Sequence, residues 1–167
     1  MSLRIGQGFD VHPFSDDPDR PLVLGGVTLG GARGLAGHSD ADAVAHALAD
    51  ALLGAAGLGD LGRHFPDTDP AFAGADSMVI LAGVVRLLAD AGWQPVNADC
   101  TVLAETPKLQ PHVERMVAGL ESCLGAPVSV KATRGEGLGA IGRAEGIACL
   151  AVVLVEGEAR VAVPVAP

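Results

Sequence analysis

Three residues in the first third of the chain have the types and spacing to hold a metal ion. Asp10 and His12 are alternate residues of a stretch that reads as a strand, so both side chains leave it on one face. Alone, the pair would equally suit an ordinary strand end. His46 adds a second imidazole. On helical periodicity Val44, Leu48, Ala51, Leu52 and Ala55 share an arc of about 100°, a core-facing stripe. His46 lies opposite that stripe, with Asp42 and Asp50 four residues to either side as carboxylates for its second ring nitrogen. One carboxylate and two imidazoles suit zinc, with a fourth position left for substrate. Such an ion acts as a Lewis acid on a phosphoryl or carbonyl oxygen. The spacing alone does not require strand and helix to meet.

Other segments carry polar groups suited to a phosphorylated substrate. His38 and Ser39 stand at the mouth of the predicted helix, where free N–H groups and the positive dipole end make a phosphate seat. Ser39 also suits a simple cap. Phe65-Pro66-Asp67-Thr68-Asp69-Pro70 is a rigid, carboxylate-rich turn, and with Asp60 it offers acceptors for hydroxyl groups. From Lys131 the chain leaves a strand into the Gly-rich run Thr133-Arg-Gly-Glu136-Gly-Leu-Gly139. Glu136 has the chemistry for a second hard cation, and the loop N–H groups for a diphosphate. The run fits neither a Walker loop nor a dinucleotide fingerprint, since no G-x-x-x-x-G-K-[ST] pattern and no following helix are read there. Arg143-Ala-Glu145 reads as a surface ion pair as readily as a substrate contact.

The elements that must position these groups belong to one domain's length, 167 residues, with 49% hydrophobic composition, which excludes a disordered chain. The net charge of −9, with no basic cluster, argues against nucleic acid as the partner. The longest apolar run, nine residues from 147 to 155, is too short to span a membrane, and no leader is read, so the expected location is cytoplasmic. Cys100, Cys123 and Cys149 are widely spaced and read as free thiols. Residues 3–11 alternate as a strand, with Ile5, Phe9 and Val11 on one face and Gly6, Gly8, Asp10 and His12 on the other. Residues 22–29 read as a hairpin or bent strand around Gly25-Gly26. Helices are expected at 39–57, with Ser39-x-x-Asp42 as a capping-box-like start, at 76–91 and at 111–124. Strands are expected at 97–104, 128–132 and 147–155, the last covered on both faces, followed by a frayed tail from Glu156. The order predicts an α+β fold, one mixed sheet with helices packed on one face.

Taken together, these segments resemble the 2-C-methyl-D-erythritol 2,4-cyclodiphosphate synthase family of the non-mevalonate isoprenoid pathway. The resemblance rests on Arg4-Ile-Gly-Gln-Gly-Phe-Asp-Val-His12, Gly37-His-Ser-Asp-Ala-Asp42, His46-Ala-Leu-Ala-Asp-Ala-Leu-Leu-Gly54, Gly59-Asp-Leu-Gly62, the Phe65–Pro70 turn, Pro107-Lys108 and Gly142-Arg-Ala-Glu-Gly-Ile-Ala148. It runs from residue 4 to about 155, and the whole chain, 1–167, is expected to be one such domain.

The resemblance implies a phosphorus–oxygen lyase that converts 4-diphosphocytidyl-2-C-methyl-D-erythritol 2-phosphate to the 2,4-cyclodiphosphate and releases CMP. It implies a homotrimer with active sites between subunits, one zinc per subunit on Asp10, His12 and His46, and a second divalent ion, Mg²⁺ or Mn²⁺, at the substrate diphosphate. By the same implication His38, as a catalytic residue, and Ser39 contact phosphate. Asp60, Leu61 and Gly62 line the methylerythritol end, with Phe65, Pro66, Asp67, Thr68 and Asp69. Ala104, Glu105, Thr106, Pro107, Lys108, Leu109 and Gln110 form the cytosine pocket. Thr133 and Glu136 hold the diphosphate and the second ion, and Arg143 contacts substrate. Two positions depart from the family pattern. Arg134 replaces a second hydroxyl residue, and Ala140 stands where relatives often carry Phe near a central channel that can bind isoprenoid diphosphates. The same residues would also suit a zinc phosphohydrolase, or an idle trimer that binds isoprenoid diphosphates.

Overall fold

The computed structural model describes residues 1–66 and 68–158. Six strands and five helices follow in the order β1 (Ser2–Pro13), β2 (Leu22–Leu24), β3 (Val27–Leu29), α1 (Ala43–Ala56), α2 (Leu61–His64), α3 (Ser77–Asp90), β4 (Trp93–Leu103), α4 (Val113–Leu124), β5 (Val128–Thr133), α5 (Gly139–Gly142) and β6 (Gly146–Gly157). The main sheet has the order β1-β6-β4-β5. β6 is antiparallel to both β1 and β4, and β5 is parallel to β4, so the sheet is mixed as expected. β2 and β3 form a separate hairpin whose turn residues, Gly25 and Gly26, both have positive φ, as a tight two-residue connection requires. Among the described residues no helix is long and apolar enough to cross a membrane.

One contact sets the position of everything at the site. α1 lies across β1 with almost no side chain between them. A Cβ at Gly8 would come within 1.8 Å of the Ala47 carbonyl oxygen, and one at Gly6 within 1.9 Å of that of Ala51. Seven of the fourteen α1 residues are alanine, so glycine on the strand and alanine on the helix bring the two backbones together.

α1 differs from the amphipathic helix that periodicity predicts. It is buried nearly all round, and only His46, Asp50 and Gly54, a line at i, i+4 and i+8, are not. Small side chains make it slim enough to sit beneath the sheet and beside α3. Its N-cap is Asp42, whose side chain accepts from the Val44 and Ala45 N–H groups, so the helix starts after the predicted Ser39. Gly57 closes it in the left-handed conformation.

The opposite face of the sheet carries Ile5 and Phe9 of β1, 74% and 54% exposed, beside Val11 and Val152. β6 is therefore covered on one face in this chain rather than on both, because α1 packs across β1 and β6 on the side of Gly6 and Gly8. Four smaller differences follow. β4 begins at Trp93, with a bulge between Pro95 and Asn97. Pro111 sits in a 3-10 turn before α4. α5 is a single turn at the end of the Gly-rich run, where no helix is read, and α2 is a single turn between the first two predicted helices. β6 runs on to Gly157, so Glu156 and Gly157 are strand where the tail is expected to begin, and the tail beyond residue 158 lies outside the described residues.

Candidate active site

β1 and α1 deliver the three predicted ligands to one point. Asp10 Oδ2 is 2.9 Å from His12 Nε2 and 3.2 Å from His46 Nδ1, and the two ring nitrogens are 3.4 Å apart. Tetrahedral ligands with bonds of about 2.0–2.1 Å stand roughly 3.3 Å from one another, so the three atoms fit a single small divalent ion. Among the described residues this is the only His/Cys/Asp/Glu group so arranged.

The second ring nitrogens are also held. His12 donates its Nδ1–H to the Ala36 carbonyl at 2.9 Å, which leaves Nε2 for an ion. His46 Nε2 lies 2.9 Å from Ser77 Oγ and 3.2 Å from Ser39 Oγ. Ser77 donates its hydroxyl to Asp40 Oδ1, so its oxygen accepts from His46 Nε2–H, and when the ring is neutral its lone pair falls on Nδ1. The carboxylates predicted to support His46 do other work. Asp42 is fully buried at the helix cap, and Asp50 accepts from the Leu61 N–H at 2.7 Å. Asp40 and Ser77 take their place. Ser77 is 31 residues from His46, and no local spacing announces it.

The electrostatics of the three side chains are tightly coupled. Burial works to raise the Asp10 pKa, but hydrogen bonds with His12 and His46 and their charges outweigh it and hold the carboxyl well below the usual range. Burial likewise works to lower the pKa of His12, but its hydrogen bond to Asp10 and the carboxylate charge lift it above the ordinary 6.5.

Around the triad lies a cavity of about 430 Å³, with His38, Ser39, Leu61, Gly62 and Phe65 on its wall together with Phe72 and Ile80. Asp60 caps α2 through the Arg63 N–H at 2.9 Å and so holds Leu61 and Gly62 in place. His38 donates from Nε2 to the Asp69 carbonyl at 3.2 Å. Phe65 and Phe72 meet edge to face and give the cavity an apolar lining. Pro66 and Thr68 belong to the same turn without lining the cavity, and Asp67 lies outside the described residues.

The residues expected to recognise the nucleotide form a second hollow, about 690 Å³, that shares no lining residue with the first. Ala104, Glu105, Pro107, Lys108, Leu109, Gln110 and Thr133 line it, and Thr106 faces an adjoining one beside Phe14 and Arg33. Arg134, the departure noted above, is paired with Glu105, which also accepts from the Gly135 N–H at 3.2 Å. The guanidinium is thus engaged by a carboxylate at the hollow's rim. Glu136 stands on the exposed loop beyond β5 at positive φ, away from the triad's ligand set. Arg143 pairs with Glu145 at 2.6 Å on the surface.

Comparison with known proteins agrees with this geometry. Residues 3–156 match the YgbB family. The 2-C-methyl-D-erythritol 2,4-cyclodiphosphate synthase of Bordetella petrii is 56% identical over 157 residues, covering 92% of this chain and 96% of that one. The synthase of the same name from Ralstonia nicotianae is 58% identical over 158 residues, 93% of each. Among solved structures, the Plasmodium falciparum IspF–CDP complex superposes with a TM-score of 0.81 at 30% identity, over 94% of this chain and 97% of that one. The bifunctional IspDF of Campylobacter jejuni superposes with a TM-score of 0.89 at 42% identity, and there this chain spans 43% of the larger protein. A match across nearly the whole chain, with more than half of its residues shared, places it in the YgbB family of 2-C-methyl-D-erythritol 2,4-cyclodiphosphate synthases.

Proposed function

We propose that the chain is one cyclodiphosphate synthase domain, a cytoplasmic phosphorus–oxygen lyase that closes 4-diphosphocytidyl-2-C-methyl-D-erythritol 2-phosphate into the 2,4-cyclodiphosphate and releases CMP. The observation that carries this reading is the convergence of Asp10, His12 and His46 within 3.4 Å of one another, beside the His38–Ser39 segment. The donor set of one carboxylate and two imidazoles fits zinc. When bound, zinc supplies a Lewis acid for a phosphoryl oxygen.

The remaining chemistry is positioning. The substrate's 2-phosphate oxygen attacks its own β-phosphorus, the bond to the CMP oxygen breaks, and no enzyme nucleophile intervenes. His38 and Ser39 hold phosphate oxygens at the cavity mouth. Leu61, Gly62 and Phe65 enclose the methylerythritol end and exclude water that would otherwise compete as nucleophile. Ala104 to Gln110 seat the cytosine, largely through backbone groups, and Thr133 and Glu136 serve the diphosphate with Mg²⁺ or Mn²⁺. Arg143 is assigned to substrate contact.

Two features favour a homotrimer with sites between subunits. The triad and the nucleotide hollow share no lining residue within one chain, so a site built from both is readily completed by a neighbour. The bare apolar face around Ile5 and Phe9 is the kind of surface an obligate interface covers. Three free cysteines suit a reducing compartment.

Incubation with the cytidylyl substrate, Zn²⁺ and Mg²⁺ should release CMP, stop when zinc is stripped and resume when it is restored. The cyclic product should carry no ¹⁸O from labelled water. A linear, ¹⁸O-labelled product would make the protein a phosphohydrolase instead, and binding without CMP release would make it an idle trimer.

A further inference from the structure

The roles assigned so far leave Arg20 without one. It lies half-buried in the loop before β2 and spends its guanidinium on backbone. Nε donates to the Leu35 carbonyl, and Nη2 donates to the carbonyls of Gly37, at 3.1 Å, and Ser39. These are alternate residues of the loop that leads to α1. The groups between and beside them serve the two imidazoles. The Ala36 carbonyl takes the Nδ1–H of His12, and Ser39 Oγ lies against His46 Nε2. The Gly37 backbone packs on the His12 ring so closely that a Cβ there would meet Cε1 at 3.1 Å.

We propose that Arg20 is a positioning residue for the metal centre. Its fork ties Leu35, Gly37 and Ser39 to one rigid group, and through them fixes the outer hydrogen-bond partner of His12 and one of those of His46. Arginine suits the task because its donors are coplanar and reach several carbonyls at fixed directions, which an ammonium cannot do. The inference rests on the reading that the triad holds zinc, and its test separates the two.

Arg20→Met and Arg20→Lys are compared with Arg33→Met. Arg33 is the control because it donates to the Ser15 carbonyl and to Asp16, and among the described residues none of its hydrogen bonds reaches residues 35–39. Two quantities are read. The first is the zinc dissociation constant by competition with a chromophoric chelator. The second is the His12 Nδ1–H proton in the NMR spectrum of the metal-free protein. Loss of an outer partner of a metal-bound histidine costs about 10–100-fold in metal affinity, the weakening expected for Arg20→Met. Arg20→Lys should fall between it and the parent, and Arg33→Met should bind as the parent does. The His12 ring proton, protected in the parent, should be lost to exchange in Arg20→Met while circular dichroism stays native.

Parent affinity and a parent ring signal in Arg20→Met would overturn the proposal. So would an Arg33→Met variant as impaired as Arg20→Met, since that would mark a general effect of the loop. If Arg20→Met does not fold, Arg20→Lys decides by the same two readings. A parent protein that binds no zinc would overturn the metal centre, and the ring proton would still decide the role of Arg20.

Discussion

The contact between β1 and α1 can be tested with one methyl group. Gly8→Ala would place a Cβ 1.8 Å from the Ala47 carbonyl oxygen and 2.8 Å from the Ala51 nitrogen, both backbone atoms that cannot rotate away. Reaching an ordinary 3.4 Å contact requires a retreat of about 1.6 Å along the Ala47 approach. Ala47 follows His46 directly, and Gly8 precedes Asp10 and His12 on the same face of the strand, so that displacement falls on the metal ligands. Their donor atoms stand 2.9–3.4 Å apart, and metal sites tolerate only about ±0.2 Å in bond length. Overpacking of this kind costs about 1–3 kcal/mol. For a chain of this size that lowers the melting temperature by roughly 2–12 °C. Zinc affinity should fall by at least the ~10–100-fold lost with an outer-partner defect. Gly54→Ala is the matched control in the same helix. Its Cβ meets only the Gln7 carbonyl oxygen, at 4.0 Å, and should leave zinc binding intact while stabilising by about 0.5–1 kcal/mol. Thermal melting with and without zinc, and chelator competition, read both variants. A Gly8→Ala protein that melts with the parent and keeps its zinc would refute the claim that this backbone contact sets the site.

Three further outcomes are expected. His46→Ala should lose zinc and CMP release yet give a native circular dichroism spectrum, because His46 faces the cavity rather than the apolar core; unchanged zinc content would contradict this. Metal-free protein should lose stability as pH rises. The folded-state pKa of His12 is raised above 6.5, so its pairing with Asp10 contributes fully below the unfolded value and is lost as pH climbs through the folded one. Melting in chelator from about pH 6 to about 9 should show this decline, and His12→Gln should flatten it. Zinc affinity should rise over the same window, since binding requires a neutral imidazole. Finally, Ile5→Glu, on the uncovered sheet face, should leave the chain folded but monomeric in sedimentation, with CMP release abolished; a full-sized, active trimer would exclude that face as the interface.

Much of this arrangement is legible in the sequence where the physics is local. Alternation along residues 3–11 puts Asp10 and His12 on one face, and helical spacing separates His46 from Leu48 and Leu52 of α1. Asp10, His12 and His46 then meet as expected. Two features run against what such patterns usually mean, for instructive reasons. An apolar row usually marks the buried face of a strand, yet in β1 the glycine face is the one packed within the chain, because glycine admits a helix backbone. Helical periodicity proposes Asp42 and Asp50 as partners of His46, but sequence neighbours compete with the cap and the next turn for those carboxylates. Ser77, Asp40, Ala36 and Arg20 act across 24 residues or more, or through backbone carbonyls, and such groupings leave no periodic trace.

Asp42 joins two parts of the molecule that share no other hydrogen bond described above. Its Oδ1 accepts from Gly25, Val44 and Ala45 and its Oδ2 from Gly26, at 2.7–3.1 Å, in full burial. One carboxylate thereby rivets the hairpin tip to the first turn of the helix that bears His46. The hairpin thereby becomes a lever arm on the Asp10–His12–His46 triad, and sequence drift at its turn would be felt in the spacing of those three donors before it was felt as a change in fold.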